Sequence, residues 1–194
     1  MNNKLTVFQQ VRELSGWQAV AFSATLLERM FPNYQLFCEA TEFADAGLYR
    51  NSLNTIWEWL ATPKAKINFA AQLEKVESVV PDAKDFDNYG VYPAIDVAMS
   101  MSACILLIQG EDLQGAVVVS KLSQGGVEAF IEATAEAELS DAEIRQHPLM
   151  QWEISLQQEL LVLLEKEPKN SQTCKLLKSL ATQEGMSNIG IEIN

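Results

Sequence analysis

The sequence predicts an all-α protein, a compact multi-helix bundle of about nine helices, and three observations predict it. Helix-starting and helix-stopping residues recur along all 194 residues, whereas alternating runs joined by hairpin turns do not. The stretch VYPAIDVAMSMSACILLI at 91–108 is apolar almost all the way round a helix, and a helix without a polar face has to be surrounded by others. Composition is that of a globular chain, 48% apolar and 21% charged. A chain of this size buries roughly 70% of the surface its unfolded form exposes, so one helical domain over 1–194 needs no staple.

The first helix, 5–14, is short and stops at Ser15-Gly16. Val20, Leu27 and Met30 share a face of a second helix over 17–30, and Pro32 is placed to open a third that ends near Phe43. Asp45 offers a cap for a fourth, in which Leu48, Leu53, Ile56, Trp57 and Leu60 form a stripe before Thr62-Pro63. A fifth covers 67–80. Residues 81–90, PDAKDFDNYG, hold the turn-forming Pro, Asp, Asn and Gly and read as the longest loop. The central helix near 93–108 follows and ends at Gln109-Gly110. A helical region over 111–137 contains Gly115 and Gly125-Gly126, which predict a kink. Ser140 and Glu143 have the spacing of a capping box. Pro148 opens the next helix, with Leu149, Trp152, Leu156, Leu160, Leu163 and Leu164 on one face, and Pro168 opens the last, which runs to about Glu184 with Gly185 as a left-handed cap. Ile189, Ile191 and Ile193 alternate, so the C-terminal tail is predicted extended, its isoleucines in a groove of the domain or of a partner.

Fourteen Lys and Arg stand against 26 Asp and Glu, and a net charge of −12 repels phosphate backbones, which argues against direct nucleic-acid binding. The start, MNNKLTVFQQVRELSG, lacks a secretory pattern, and Asp96 with several serines interrupts the only stretch near membrane-spanning length. A cytoplasmic protein without membrane contact is the expectation. Cys38, Cys104 and Cys174 have no CxxC spacing and read as small buried residues in a reducing compartment.

Four strings resemble an uncharacterised bacterial family, the YjaG-like proteins, also called domain of unknown function family 416. They are WQAVAFSATLLERMFPNYQLFCEATEF at 17–43, IWEWL at 56–60, INFAAQLEKVESVVPDAKDFDNYGVYPAID at 67–96, and SNIGI at 187–191. The resemblance implies an all-helical fold and a cytoplasmic location. It implies no activity, because the family has no established site residues to carry over.

Candidate chemistry is narrowed by the single histidine, His147, which excludes a three-histidine zinc site and a di-iron bundle and leaves a catalytic triad only if His147 serves it. Its place before Pro148 reads as a helix entry. Glu39, Glu42 and Asp45, and Glu74 with Glu77, fall three apart and share helical faces where Mg²⁺ could bind. The ExxE and ExxD pairing of MazG-type nucleotide pyrophosphatases is nevertheless incomplete: the ExxD matches are Glu42 to Asp45, which overlaps the first pair, and Glu138 to Asp141, on a capping box. These read as solvated acidic faces, as does the ladder Glu128, Glu132 and Glu136, so neither metal nor cofactor is expected. No Gly-rich phosphate loop follows a strand.

The best candidate pocket is formed by Asp85, Asp87 and Asp96 with Tyr89 and Tyr92, where carboxylates at the mouth orient a cationic or hydroxyl ligand. Asp96 is expected on the inward side of the central helix and therefore paired, with Arg29, Arg50 or a helix end as partner, since an unpaired buried carboxylate costs several kcal/mol. The leading functional expectation is an acidic helical module without catalytic activity that acts through protein contacts, steered by its charge to a basic partner, with a homodimer as a separate possibility. The alternative is an enzyme or small-ligand binder that uses Asp85, Asp87 and Asp96 with Glu28 or Glu39 and Mg²⁺.

Overall fold

The computed structural model describes residues 5–193, and among them nine α-helices and one 3-10 turn account for the regular structure. The helices are α1 (Val7–Arg12), α2 (Gly16–Thr41), α3 (Gly47–Ala61), α4 (Phe69–Glu77), α5 (Val91–Gln109), α6 (Gly115–Thr134), α7 (Asp141–Gln146), α8 (Pro148–Lys166) and α9 (Ser171–Thr182). The 3-10 turn is Ala83–Asp85. The chain is all-α, as the helix punctuation predicts.

Local chemistry explains most ends. Thr6 and Gln9 form a capping box on α1, and Ser140 and Glu143 form the predicted one on α7. Asn68 accepts from the Ala71 amide at 3.0 Å and Asn170 from the Thr173 amide at 3.0 Å, each satisfying a free donor of the first turn. The last helix therefore starts at Ser171, capped by Asn170, three residues beyond Pro168. Asp45 sits one place before the cap of α3 but accepts from the Gly47 amide at 2.8 Å, so it serves the same donor. Gly110 closes α5 in the left-handed conformation, φ 75°.

Pro32 does not separate two helices, contrary to the sequence expectation, and lies buried inside the continuous α2. Proline removes one backbone bond and costs about 3 kcal/mol in a helix interior. The surrounding burial offsets it: Phe22, Leu26, Leu27, Met30 and Tyr34 are all at most 1% exposed. Likewise α6 is unbroken across Gly125-Gly126, and of its glycines Gly115 and Gly126 make close contacts whereas Gly125 faces open space. A Cβ at Gly115 would stand 2.6 Å from the Ala103 carbonyl oxygen of α5.

Helix α5 packs against α2, α4 and α6, and is the centre of the main apolar core. Its Ala94, Val97, Ala98, Met101, Cys104 and Ile105 are fully buried. The helix is not enclosed on every side, however. Tyr92 and Met99 are 56% and 49% exposed, and Asp96 lies between them on the same narrow stripe at helical spacing. Because that stripe is itself largely apolar, hydropathy alone does not separate it from the buried faces. A second, smaller core joins Val127 and Ile131 of α6, Ile144 of α7, Met150 of α8 and Ile189 of the tail.

Candidate functional site

The site grows from a charge embedded in an apolar helix. Arg29 of α2 is 1% exposed, and its guanidinium pairs through Nη1 with Glu153 of α8, itself fully buried, while the Trp152 ring centre lies 3.9 Å from its Cζ. Burial pulls the Arg29 guanidinium down from its ordinary value and Glu153 pulls it back up. Ser123 of α6 donates to the same carboxylate, as does Gln157 Nε2 at 2.8 Å, and Ser120 Oγ donates to Gln157 Oε1 at 2.6 Å. A buried pair persists only with its remaining lone pairs filled, and these neighbours fill them.

The same network reaches the tail. Asn188, 2% exposed, donates from Nδ2 to the Ser123 carbonyl at 3.1 Å, and its Oδ1 accepts from Asn33 Nδ2 of α2 at 2.9 Å. The tail is held in place by a tight return: Ser187 donates its amide to the Ile191 carbonyl at 2.7 Å, and Met186 bridges Glu192 antiparallel. Two polar atoms of the network have no partner among the described residues, Arg29 Nη2 and Asn33 Oδ1.

Beside Asn33 runs a groove of about 510 Å³. Its walls are Leu36, Phe37 and Ala40 of α2, residues 88–90 and Pro93 at the start of α5, Phe130 of α6, and Ile189 with Ile191 of the tail. The lining is largely apolar with few polar groups, the usual composition of a ligand site. Asp96 stands one turn beyond Pro93. A Cβ at Gly126 would lie 3.0 Å from Asp96 Oδ2 and 3.9 Å from Asn188 Nδ2, so α6 presses a bare backbone between carboxylate and network.

Asp96 makes no hydrogen bond or ion pair among the described residues, which corrects the expected partner. Arg29 is committed to Glu153, and Arg50 to Glu28 through two bonds of 2.7 and 2.8 Å. Desolvation alone lifts the Asp96 carboxyl to about 6. Tyr89, which lines the groove, has its hydroxyl pushed up by burial, then by the charges of Asp96 and Glu132.

Of the candidates read from sequence, Tyr89 lines the groove, and Asp96 lies near enough for its charge to act on the Tyr89 hydroxyl but is not part of the lining. Asp85 and Asp87 are exposed on the loop and line none of the described groove, and Tyr92 lies on the open stripe of α5. Asp82, not Asp85 or Asp87, caps the 3-10 turn by accepting from the Lys84 amide at 3.0 Å. Glu28 is occupied by Arg50 and by Trp57 Nε1, and Glu39 accepts from Gln35 at 3.0 Å. Among the described residues no three His, Cys, Asp or Glu side chains gather to hold a metal ion. His147 caps α8, its Nδ1 accepting from the Leu149 amide at 3.2 Å. All three cysteines are buried and free.

Sequence reasoning missed Asn33, Glu153 and Asn188, gave Arg29 to Asp96 rather than to Glu153, and read Gly126 as a kink rather than a close approach. The available signals were a lone arginine within AVAFSATLLERMF and a glutamate between the apolar Trp152 and Leu156, both charges on faces otherwise destined for the core.

These features define an acidic, all-helical protein organised round one apolar helix, with a buried ion-pair network under an apolar groove. The family model described as "Protein of unknown function (DUF416)" matches residues 6–192, and the chain belongs to that family. It is 44% identical over 185 residues to the uncharacterized protein YjaG of Escherichia coli K12, covering 94% of each chain. It is 36% identical over 191 residues to an uncharacterized protein of Haemophilus influenzae, covering 97% of each. The crystal structure of a DUF416 family protein from Shewanella baltica OS155 superposes with a TM-score of 0.90 at 36% identity, over 98% of this chain and 100% of that one. Family membership assigns no activity, so function has to be argued from the groove.

Proposed function

We propose that the protein is a non-catalytic binding module whose groove between α2, the start of α5 and the tail takes an apolar, basic segment of a cytoplasmic partner protein. The observation that carries this reading is an apolar groove in a chain of net charge −12. Apolar burial supplies affinity there, while the surrounding negative field raises the encounter rate of a basic partner and rejects acidic ones. Leu36 and Tyr89 leave 45% and 37% of their surface open at the groove, ready to be covered. None of the lining side chains is a His, Cys, Ser, Thr or Lys, so the groove has no nucleophile beside a base.

Selection of a random peptide library on the immobilised protein tests the reading. The expected winners combine lysine or arginine with apolar residues, compete with one another, lose affinity as salt rises, and bind about fivefold more weakly to Leu36→Asn. Winners without basic residues, or binding indifferent to both salt and Leu36→Asn, overturn it.

A further inference from the structure

We infer that the groove selects a partner segment whose apolar centre is flanked by two cationic side chains, one met by Glu39 and Glu192 where α2 borders the tail, the other by Asp96 where α5 borders α6. The inference rests on the binding reading above and adds which residues read the charges.

The two borders are built by different elements. Leu36 and Ile191 line the groove and also a shallow depression beside it, whose other walls include Glu39 and Glu192. Glu39 stands one helical turn beyond Leu36, Glu192 follows Ile191, and both glutamates are exposed. On the second border Pro93 of α5 and Phe130 of α6 line the groove. One turn away from each stand Asp96 and Gly126, close enough that a Cβ on Gly126 would lie 3.0 Å from Asp96 Oδ2. Asp96 is therefore beside the lining rather than in it, half-buried on the open stripe of α5 between the exposed Tyr92 and Met99. Its charge and that of Glu132 act on the Tyr89 hydroxyl in the groove wall.

Charge and solvation choose the occupant. The polar side chains of the lining, Asn33, Asn88 and Tyr89, are neutral, so charge is read at the borders and not on the floor. No Lys, Arg or His lines the groove or the depression, and Glu39, Glu192 and Asp96 form no ion pair among the described residues. Water satisfies these carboxylates while the groove is open. A segment that covers Leu36, Tyr89 and the apolar walls between them strips part of that water, and a carboxylate dehydrated without a counter-charge is destabilised. A cation at each flank offsets the loss at both borders. A neutral segment leaves both uncompensated, and an acidic one adds repulsion.

The probes are synthetic peptide libraries with a randomised apolar centre and lysine or arginine at both flanks, at one flank or at neither, selected on the whole immobilised protein at pH 7.5, with affinities of the winners measured by calorimetry. The tightest winners are expected from the doubly basic library, about fivefold or more above the best singly basic peptide. Glu39→Gln combined with Glu192→Gln is expected to remove the requirement for a cation at one flank, and Asp96→Asn at the other. Each is expected to weaken the doubly basic winner about fivefold, while Glu165→Gln on α8, an exposed carboxylate outside both borders, changes it less than about twofold. All of these variants keep side-chain shape and remove only charge. Singly basic or neutral winners that bind as tightly, variants that relax the same flank, or losses no larger than that of Glu165→Gln overturn the inference. If the winners remain basic and Leu36-dependent through any of these failures, the placement of the charges is wrong and the binding reading stands. If no library yields a winner, both fall.

Discussion

At the scale of single residues, Asp96 is the side chain whose behaviour departs most from ordinary expectation. Its carboxyl is raised to about 6 by desolvation from an ordinary 3.8, so the folded protein holds that proton more tightly than the unfolded chain. Stability from this group is therefore greatest below pH 4 and falls as pH rises through about 6. Asp96→Asn is expected to raise stability at pH 7.5 by on the order of 2 kcal/mol, and the gain is expected to vanish below pH 4. Denaturant midpoints of the two proteins between pH 3.5 and 8 check it, and a destabilised variant at pH 7.5 would show that Asp96 has a partner after all. Glu153, by contrast, has both carboxylate oxygens engaged, by Arg29, Ser123 and Gln157. Glu153→Gln leaves Arg29 buried without its counter-charge, and a loss of about 3 to 5 kcal/mol is expected in the same measurement.

At the scale of elements, the seam between α5 and α6 depends on missing side chains. Alanine normally favours a helix over glycine by about 1 kcal/mol, yet at Gly115 its Cβ would meet the rigid Ala103 backbone oxygen at 2.6 Å. Gly115→Ala is expected to destabilise by about 1 to 3 kcal/mol, read from the thermal midpoint. Gly125, with nothing within 4 Å of an added Cβ, is the control, where alanine is expected to stabilise by up to about 1 kcal/mol. The two glycines look alike in sequence. Helix existence was legible there, since the Ser140–Glu143 capping box, Pro148 and the left-handed Gly185 mark ends that depend on neighbours three or four residues away. Pro32 was misread because its cost is local while the burial that offsets it comes from other helices.

For the whole molecule, the charge of −12 opposes compactness. Only two ion pairs join the described residues, Arg29 with Glu153 and Arg50 with Glu28, so most carboxylates repel one another across solvent. Raising NaCl from about 20 to 300 mM shortens the screening length severalfold and is expected to raise the thermal midpoint at pH 7.5. A midpoint that falls with salt would mean that attractive surface pairs dominate instead. The tail belongs to the same cooperative unit. Asn188→Ala removes the link between α2 and α6 and strands Asn33, so a cost of about 1 to 3 kcal/mol is expected, with faster amide exchange around Asn33 and Ser123.

The sequence by itself determined the all-helical class, the central place of 91–108, the buried free cysteines and the surplus of negative charge, because each follows from composition or from contacts within one or two turns. It also pointed to Asp96 and Tyr89, since a carboxylate in an apolar helix beside a turn-rich loop is conspicuous. What only the tertiary structure decided is which partner each polar group received. Arg29 meets a glutamate 124 positions away and Asn33 an asparagine 155 positions away, separations over which no local pattern carries information. Asp96 was left unpaired for the same reason: Arg29 was drawn to Glu153 of α8 and Arg50 to Glu28 of α2, and the backbone of Gly126 came to lie against it instead.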